Sequence, residues 1–210
     1  MDQTEKFLKE ITEVAGVSGY EDDVRAVMRR YLDDVAVIDQ DRMGSFIGKH
    51  VGSDERPRVV LAGHMDEIGF MVKLVTKEGF VRFLPLGGWW DQVLLGHRVV
   101  IKTSKGDVVG VLGAKPPHVL DAKERDKVVT KKDMYIDIGV CSEEEALELG
   151  VRPGDPVIPV SEVTLMGNPQ VYLSKAFDNR VGCALAIDAV RQVAEEGHPN
   201  TVYAVGTVQE

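Results

Sequence analysis

Three separated stretches of the 210-residue chain place ionisable side chains where an apolar run gives out. Arg58-Val59-Val60-Leu61-Ala62 runs into Gly63-His64-Met65-Asp66-Glu67, Ala204-Val205 leads on to Thr207-Val208-Gln209-Glu210, and Ala176-Phe177-Asp178-Asn179-Arg180 opens a long helical pattern. In open α/β sheets, ligands collect beyond the carboxyl ends of the strands, so these stretches can share one rim. A neutral imidazole and carboxylates are donors that Zn²⁺, Co²⁺ and Mn²⁺ accept. His64 is the imidazole, and Asp66, two residues on, can orient its ring from behind. Asp178 has two oxygens with which to bridge two ions, and a Glu near metal-bound water, as Glu210 would be on this rim, is the usual general base. Each signal alone is common, since His-x-Asp arises by chance and Asp178 serves equally well as a helix cap. The residue types point to a hydrolytic metal centre with an incomplete ligand set.

The elements that must position these residues follow from periodicity. Phe7, Leu8, Ile11, Val14 and Ala15 recur at helical spacing, as do Val24, Val27, Met28, Tyr31 and Leu32 after a Gly16-Val17-Ser18-Gly19 break. Glu21, Asp22 and Asp23 favour the positive end of the second helix. Val35 to Ile38 and Ser45 to Val51 read as strands joined by a turn at Asp41-Arg42-Met43-Gly44. The run Arg58 to Ala62 has no polar face, which predicts a strand buried on both sides. From about Ile68 to Val160, short apolar runs alternate with Gly-containing turns, the pattern of a small antiparallel barrel or sandwich. Ser142-Glu143-Glu144-Glu145 signals a short capped helix within it, and the charged, aperiodic stretch Ala122 to Lys132 predicts a mobile loop. Arg180 to Glu196 predicts a helix that buries Val181, Ala184, Leu185, Ala189 and Val193. Thr201 to Val208 reads as another buried strand.

The expected fold class is therefore α/β: a mixed sheet flanked by helices, incomplete, with a small antiparallel barrel or sandwich inserted, which the family resemblance given below makes a β-barrel. The expected divisions are 1–67 and 163–210 for the α/β domain and 68–162 for the barrel. Because Glu210 lies at the end of a central strand with no covering helix after it, a carboxyl-terminally truncated chain is expected.

Composition narrows the function. Lys and Arg number 25 against 34 Asp and Glu, a formal charge of −9, which repels phosphate backbones and argues against nucleic acid. No stretch approaches the ~20 apolar residues that cross a bilayer, and Met1 to Lys6 lack the pattern of a secretory signal. Cys141 and Cys183 are far apart and imply no disulfide framework. A soluble cytoplasmic protein without membrane partners is expected.

Several segments together resemble the tetrahedral aminopeptidase family, cocatalytic metallopeptidases that include glutamyl and leucyl aminopeptidases and some members called cellulase M or endoglucanase. They are Gly63 to Phe70, Lys175 to Gly182 and Thr207 to Glu210, with Gly113-Ala114-Lys115-Pro116-Pro117-His118 and Asp137-Ile138-Gly139 in the barrel region. The resemblance implies a zinc-peptidase-like fold and a metal-dependent aminopeptidase acting on short peptides. Two divalent ions (zinc, cobalt or manganese) would be held in part by His64, and Asp178 would bridge them. Asp66 would orient His64, and Glu210 would be the general base for a metal-bridging hydroxide. The family's second Glu would follow Glu210, and its remaining Asp and His ligands lie farther on, so the chain alone is expected to be inactive. Homo-oligomers, with dimers building a tetrahedral dodecamer through the inserted barrel, are implied as well.

Other readings stand beside this one. His97 and His118 have no second ligand near them and read as loop or packing residues. Trp89-Trp90 reads as a core or interface pair, and Cys183 as a small buried hydrophobe. Ser174 and Lys175, adjacent on a strand, point to opposite faces and cannot form a nucleophile pair. A glycoside hydrolase would need two carboxylates about 5–10 Å apart, for which Asp178 and Glu210 are candidates, but it would have no use for His64. A non-catalytic, truncated scaffold is the third alternative.

Overall fold

A computed structural model describes residues 3–210, with side chains for all of these except residues 55 and 124. Met1 and Asp2, the first residues of the amino-terminal segment that lacks a signal pattern, lie outside the described residues. Helices α1 (Gln3–Glu13) and α2 (Asp22–Leu32) lead into strands β1 (Val37–Gln40), β2 (Phe46–His50) and β3 (Asp54–His64). Next come β4 (Gly69–Val75), β5 (Val81–Leu86), β6 (Arg98–Thr103), β7 (Gly106–Gly113), α3 (Ala122–Arg125), β8 (Tyr135–Asp137), α4 (Glu143–Glu148) and β9 (Pro156–Pro159). The chain continues with β10 (Thr164–Leu165), β11 (Tyr172–Leu173), α5 (Phe177–Glu196) and β12 (Asn200–Thr207). The contacts divide it into two compact units, Met1–Glu67 with Ser161–Glu210, and Ile68–Val160.

The first unit is an α/β layer. Its mixed sheet has the order β1-β2-β12-β3, with β12 antiparallel to β2 and parallel to β3. Helices α1, α2 and α5 bury a common core in which Ile11, Met28 and Leu32 meet Phe46, Ile187 and Ala204. The parallel pairing sets Thr207 opposite His64, so β3 and β12 end side by side on one rim.

Two expectations for this unit need correction. Strand β3 is not buried on both faces: Val59 and Val60 are 39% and 59% exposed, because β3 is an edge strand that pairs only with β12 among the described residues. Helix α5 also sits rotated from its predicted stripe. Leu185 is 64% exposed, whereas Arg180, Cys183, Ala186, Ile187 and Val190 are buried. A count of apolar positions treats Arg180 as a surface residue, but here it turns inward and fixes the phase of the helix. A smaller shift occurs at β1, which starts at Val37 because the Val35 and Ala36 amides still bond to Leu32 O at the end of α2.

The second unit is a closed six-stranded antiparallel barrel, β4-β5-β8-β7-β6-β9. Trp89 stacks on Phe70 with ring centroids 4.9 Å apart and donates its indole N–H to Gly69 O, whereas Trp90 is 76% exposed, so only Trp89 is a core residue. Ser142 caps α4 by accepting from Glu145 N, and Glu145 reaches back to Cys141 N. The Ala122 to Lys132 stretch is not a plain loop: it contains α3, and Lys131 opens a 3₁₀ turn while its ammonium donates to Trp89 O (2.7 Å) and pairs with Asp91. These tertiary partners give the charged stretch its structure where periodicity is silent. His97 and His118 are both exposed. No helix among the described residues is long and apolar enough to cross a membrane.

Candidate metal centre

The rim formed by β3 and β12 brings together all four residues singled out in the sequence. His64 ends β3, and its ring is mostly buried. Nδ1 lies 3.1 Å from the backbone carbonyl of Asp66 and 3.4 Å from its carboxylate. On the other side, Nε2 lies 3.1 Å from Asp178 Oδ1 and 3.2 Å from Glu210 Oε2. Asp66 is buried and held in place by the Ser18 hydroxyl, which donates to Oδ2, and by the Glu210 amide, 3.3 Å from Oδ1. Asp178 and Glu210 are exposed toward solvent.

Both ring nitrogens of His64 face only oxygens. A neutral ring, with a single hydrogen, can donate on one side alone, and with that hydrogen on Nδ1 it donates to Asp66. In the neutral ring Nε2 is then a bare lone pair facing two carboxylate oxygens. Each carboxylate oxygen, 3.1 and 3.2 Å from Nε2, repels that lone pair unless a cation lies between them, either a proton on the imidazole or a metal ion. The donor types are those of a Zn²⁺, Co²⁺ or Mn²⁺ site. Among the described residues, however, no group of three or more His, Cys, Asp or Glu is arranged to hold an ion together. His64 meets the two carboxylates as separate pairs. The residues fit part of a metal site and fall short of a closed one.

Local backbone features aim the carboxylates. Ala176 (φ 57°) and Gln209 (φ 55°) adopt left-handed conformations just before Asp178 and Glu210, a cost of about 1–3 kcal/mol each that surrounding contacts must offset. The Glu21 carboxylate supplies one such contact, accepting from Gln209 N at 3.1 Å and from Gly19 N at 2.9 Å. Asp178 does not cap α5. That role belongs to Asn179, whose Oδ1 accepts from Gly182 N at 3.1 Å. Behind the rim β3 presses on α5 at Gly63, where an added Cβ would meet Cys183 N at 2.6 Å, Gly182 C at 2.8 Å and Asn179 O at 2.9 Å. Backbone cannot yield as a side chain can, so Gly63→Ala is expected to destabilise by about 1–3 kcal/mol, read as a lower urea midpoint.

Sequence reasoning missed a buried ionic cluster beneath the rim. Glu67 Oε1 accepts from Lys175 Nζ at 2.5 Å and from Arg180 Nη2 at 3.1 Å. Burial pushes the Glu67 carboxyl up, against the pull of Arg180 and Lys175. Burial lowers Lys175 to about 8, against the pull of Glu67. The cluster's only mark in the sequence is that three charges, Glu67, Lys175 and Arg180, lie inside the same short segments as His64, Asp66 and Asp178. Ser174 in fact bonds Thr12 Oγ1. Cys183 is buried, and its thiol, pushed up to about 12 by burial, donates to His64 O at 3.5 Å.

Lys175 carries a pH prediction. Its folded pKa lies below the unfolded value of 10.5, so between about pH 8 and 10.5 the unfolded chain binds more protons. The stability it contributes is fully present above 10.5 and lost as pH falls through 8. Urea unfolding at pH 8 and pH 10 should show a rise toward pH 10 that is larger in the wild type than in Lys175→Met.

The profile of the M42 glutamyl aminopeptidases matches residues 44–210, and that of AMPT matches residues 2–28. The chain belongs to the M42 glutamyl aminopeptidase family. Lysyl aminopeptidase of Pyrococcus furiosus is 34% identical over 208 residues, covering 98% of this chain and 59% of that protein. The crystal structure of a TET aminopeptidase from a marine sediment Thaumarchaeota archaeon superposes with a TM-score of 0.96 at 45% identity, covering all of this chain and 60% of that one. Pyrococcus horikoshii TET1 peptidase, described as assembling into a tetrahedron or a large octahedral shell, superposes with a TM-score of 0.89 at 34% identity, covering 99% of this chain and 62% of that one. This M42 chain spans about three fifths of the length of such relatives. Its α/β sheet and closed barrel are the fold expected from the resemblance.

Proposed function

We propose that this chain carries part of the active site of a metal-dependent aminopeptidase that removes amino-terminal residues from short peptides. The observation that carries the reading is the His64 ring, backed by Asp66 at Nδ1 and faced at Nε2 by Asp178 and Glu210, at 3.1 and 3.2 Å. In this reading His64 would help to hold one of two divalent transition-metal ions (zinc, cobalt or manganese), and Asp178 would help to hold both. Asp66 would keep the His64 ring in the tautomer whose Nε2 is free to bind. The chemistry such ions would supply is a lowered pKa for the attacking water and a polarised scissile carbonyl. Glu210, exposed to solvent, takes a proton from the water and returns it to the departing amine, so that it ends the cycle ionised as it began.

A cytoplasmic location agrees with this reading. So does a homo-oligomer in which the barrel segment, 68–162, makes the dimer contacts and dimers build a tetrahedral dodecamer, as the assembly described for TET1 peptidase suggests. The glutamyl and lysyl names within the family leave the preferred residue to be found by assay.

The test is release of the first residue from a tripeptide with a free or an acetylated amino terminus, by the full gene product containing this chain. Cleavage of the free form only, abolished by EDTA and restored by Co²⁺, is expected. Metal-independent release of sugar from a β-glucan would overturn the reading in favour of a carboxylate-pair glycosidase. The 210-residue chain alone should release nothing, since two near-tetrahedral shells need more donors than its described residues bring together.

A further inference from the structure

The side chain of Arg180 is fully buried and meets six oxygen atoms. Nε donates to Met65 O at 2.8 Å. Nη1 reaches the carbonyls of Ile11, Thr12 and Val14 at 3.1, 3.3 and 2.6 Å, and Nη2 reaches Gly16 O at 2.9 Å and Glu67 Oε1 at 3.1 Å. The guanidinium has five N–H donors in a rigid plane, and all are engaged here. Two of these contacts bracket the site. Met65 lies between His64 and Asp66, and its own amide donates to Thr207 O at 2.8 Å, at the end of the strand that leads to Glu210. Glu67 follows Asp66, and its amide is tied to Gly16 O at 2.9 Å. Arg180 itself is two residues past Asp178. One side chain thus joins the segment bearing His64 and Asp66 to the turn bearing Asp178, and through Met65 to the strand that leads to Glu210.

We infer that Arg180, anchored by Glu67, is a positioning residue of the metal centre: it sets the place of His64 relative to Asp178. The inference rests on the proposed reading of His64 and Asp178 as ion ligands. Lysine keeps the charge of Arg180 but has a single nitrogen, so it cannot hold Met65 O and Glu67 at once in the geometry of the planar fork. Lys175 belongs to the same cluster, bonding Glu67 and Val14 O at 3.2 Å, but does not touch Met65, which makes it the control for a purely structural role.

The experiment compares wild type, Arg180→Lys, Glu67→Gln and Lys175→Met in the whole 210-residue chain. Two quantities are read: the ¹⁵N shifts of the His64 ring in metal-free protein, and Co²⁺ affinity by titration. The wild type should show the Nδ1–H tautomer. Arg180→Lys and Glu67→Gln should shift the ring signals and weaken Co²⁺ binding about 10–100-fold, the usual effect of losing a group that orients ligands. Lys175→Met should lower the melting temperature without moving either readout. If Arg180→Lys does not fold, Glu67→Gln decides by the same two readouts. Ring signals and Co²⁺ affinity equal to wild type in a folded variant would overturn the inference and leave Arg180 a structural residue. If the wild type binds no Co²⁺, the metal reading fails instead, and the positioning claim is still judged by the ring signals.

Discussion

Arg180→Met is expected to leave the chain largely unfolded at 25 °C. Methionine replaces most of the apolar stem but none of the donors. Removing one partner of a buried ion pair costs about 3–5 kcal/mol, because the charge left behind is uncompensated. Here Glu67 would keep only Lys175, and its Oε2 already has no partner. The carbonyls of Ile11, Thr12, Val14, Gly16 and Met65 would lose a donor inside the protein, about 1–3 kcal/mol for each that finds no replacement. Domains of this size are stable by about 5–15 kcal/mol in total. Circular dichroism and urea titration provide the check, and a loss under about 1 kcal/mol would contradict the account. Arg191, on the same helix, is the comparison. It pairs with Asp34 through both Nη1 and Nη2 and donates to Tyr31 O, but Asp34 is open to solvent. Arg191→Ala should therefore cost only about 1–2 kcal/mol, well short of unfolding the chain.

His64→Ala is expected to weaken Co²⁺ or Zn²⁺ binding by roughly hundredfold or more, at or beyond the upper end of what loss of an orienting group causes. His64 supplies the imidazole nitrogen on the rim, and both carboxylates at the site are placed against it. Asp66→Ala should cost less, about 10–100-fold, because the ring would keep the backbone carbonyl of Asp66 as partner for Nδ1. The two variants should keep the wild-type far-ultraviolet circular dichroism spectrum, which separates a lost ligand from a lost fold. Equal affinity in wild type and His64→Ala, read by isothermal titration, would contradict the assignment.

Much of the architecture was legible because it rests on periodicity and punctuation. The helical stripes of α1 and α2, the turn between β1 and β2, the cap at Ser142 and the Gly-punctuated strands of the barrel all follow from local residue order. The rim was also legible in outline, since His64, Asp178 and Glu210 each stand where an apolar element starts or stops. What escaped was set by partners distant in the chain. Val59 and Val60 look doubly buried, yet strand order puts β3 at an edge. The phase of α5 depends on Arg180, whose burial makes sense only once Glu67 and the carbonyls at and just beyond the end of α1 are known to surround it. Ala176 and Gln209 are not glycines and so do not announce left-handed backbone, which at Gln209 is held by the tertiary bond from its amide to Glu21.

The central claim is that His64 and Asp178, with Glu210 beside them, hold a divalent transition-metal ion. The most direct measurement is metal content per chain by mass spectrometry, after the purified protein has been loaded with Zn²⁺ and dialysed exhaustively, for wild type and for the double variant His64→Ala, Asp178→Asn. For the full gene product the account predicts about two retained ions per wild-type chain and almost none in the double variant, whereas the 210-residue chain alone, whose described residues form an open site, should retain less. A wild type that retains no ion, or a double variant that retains as much as wild type, would contradict it.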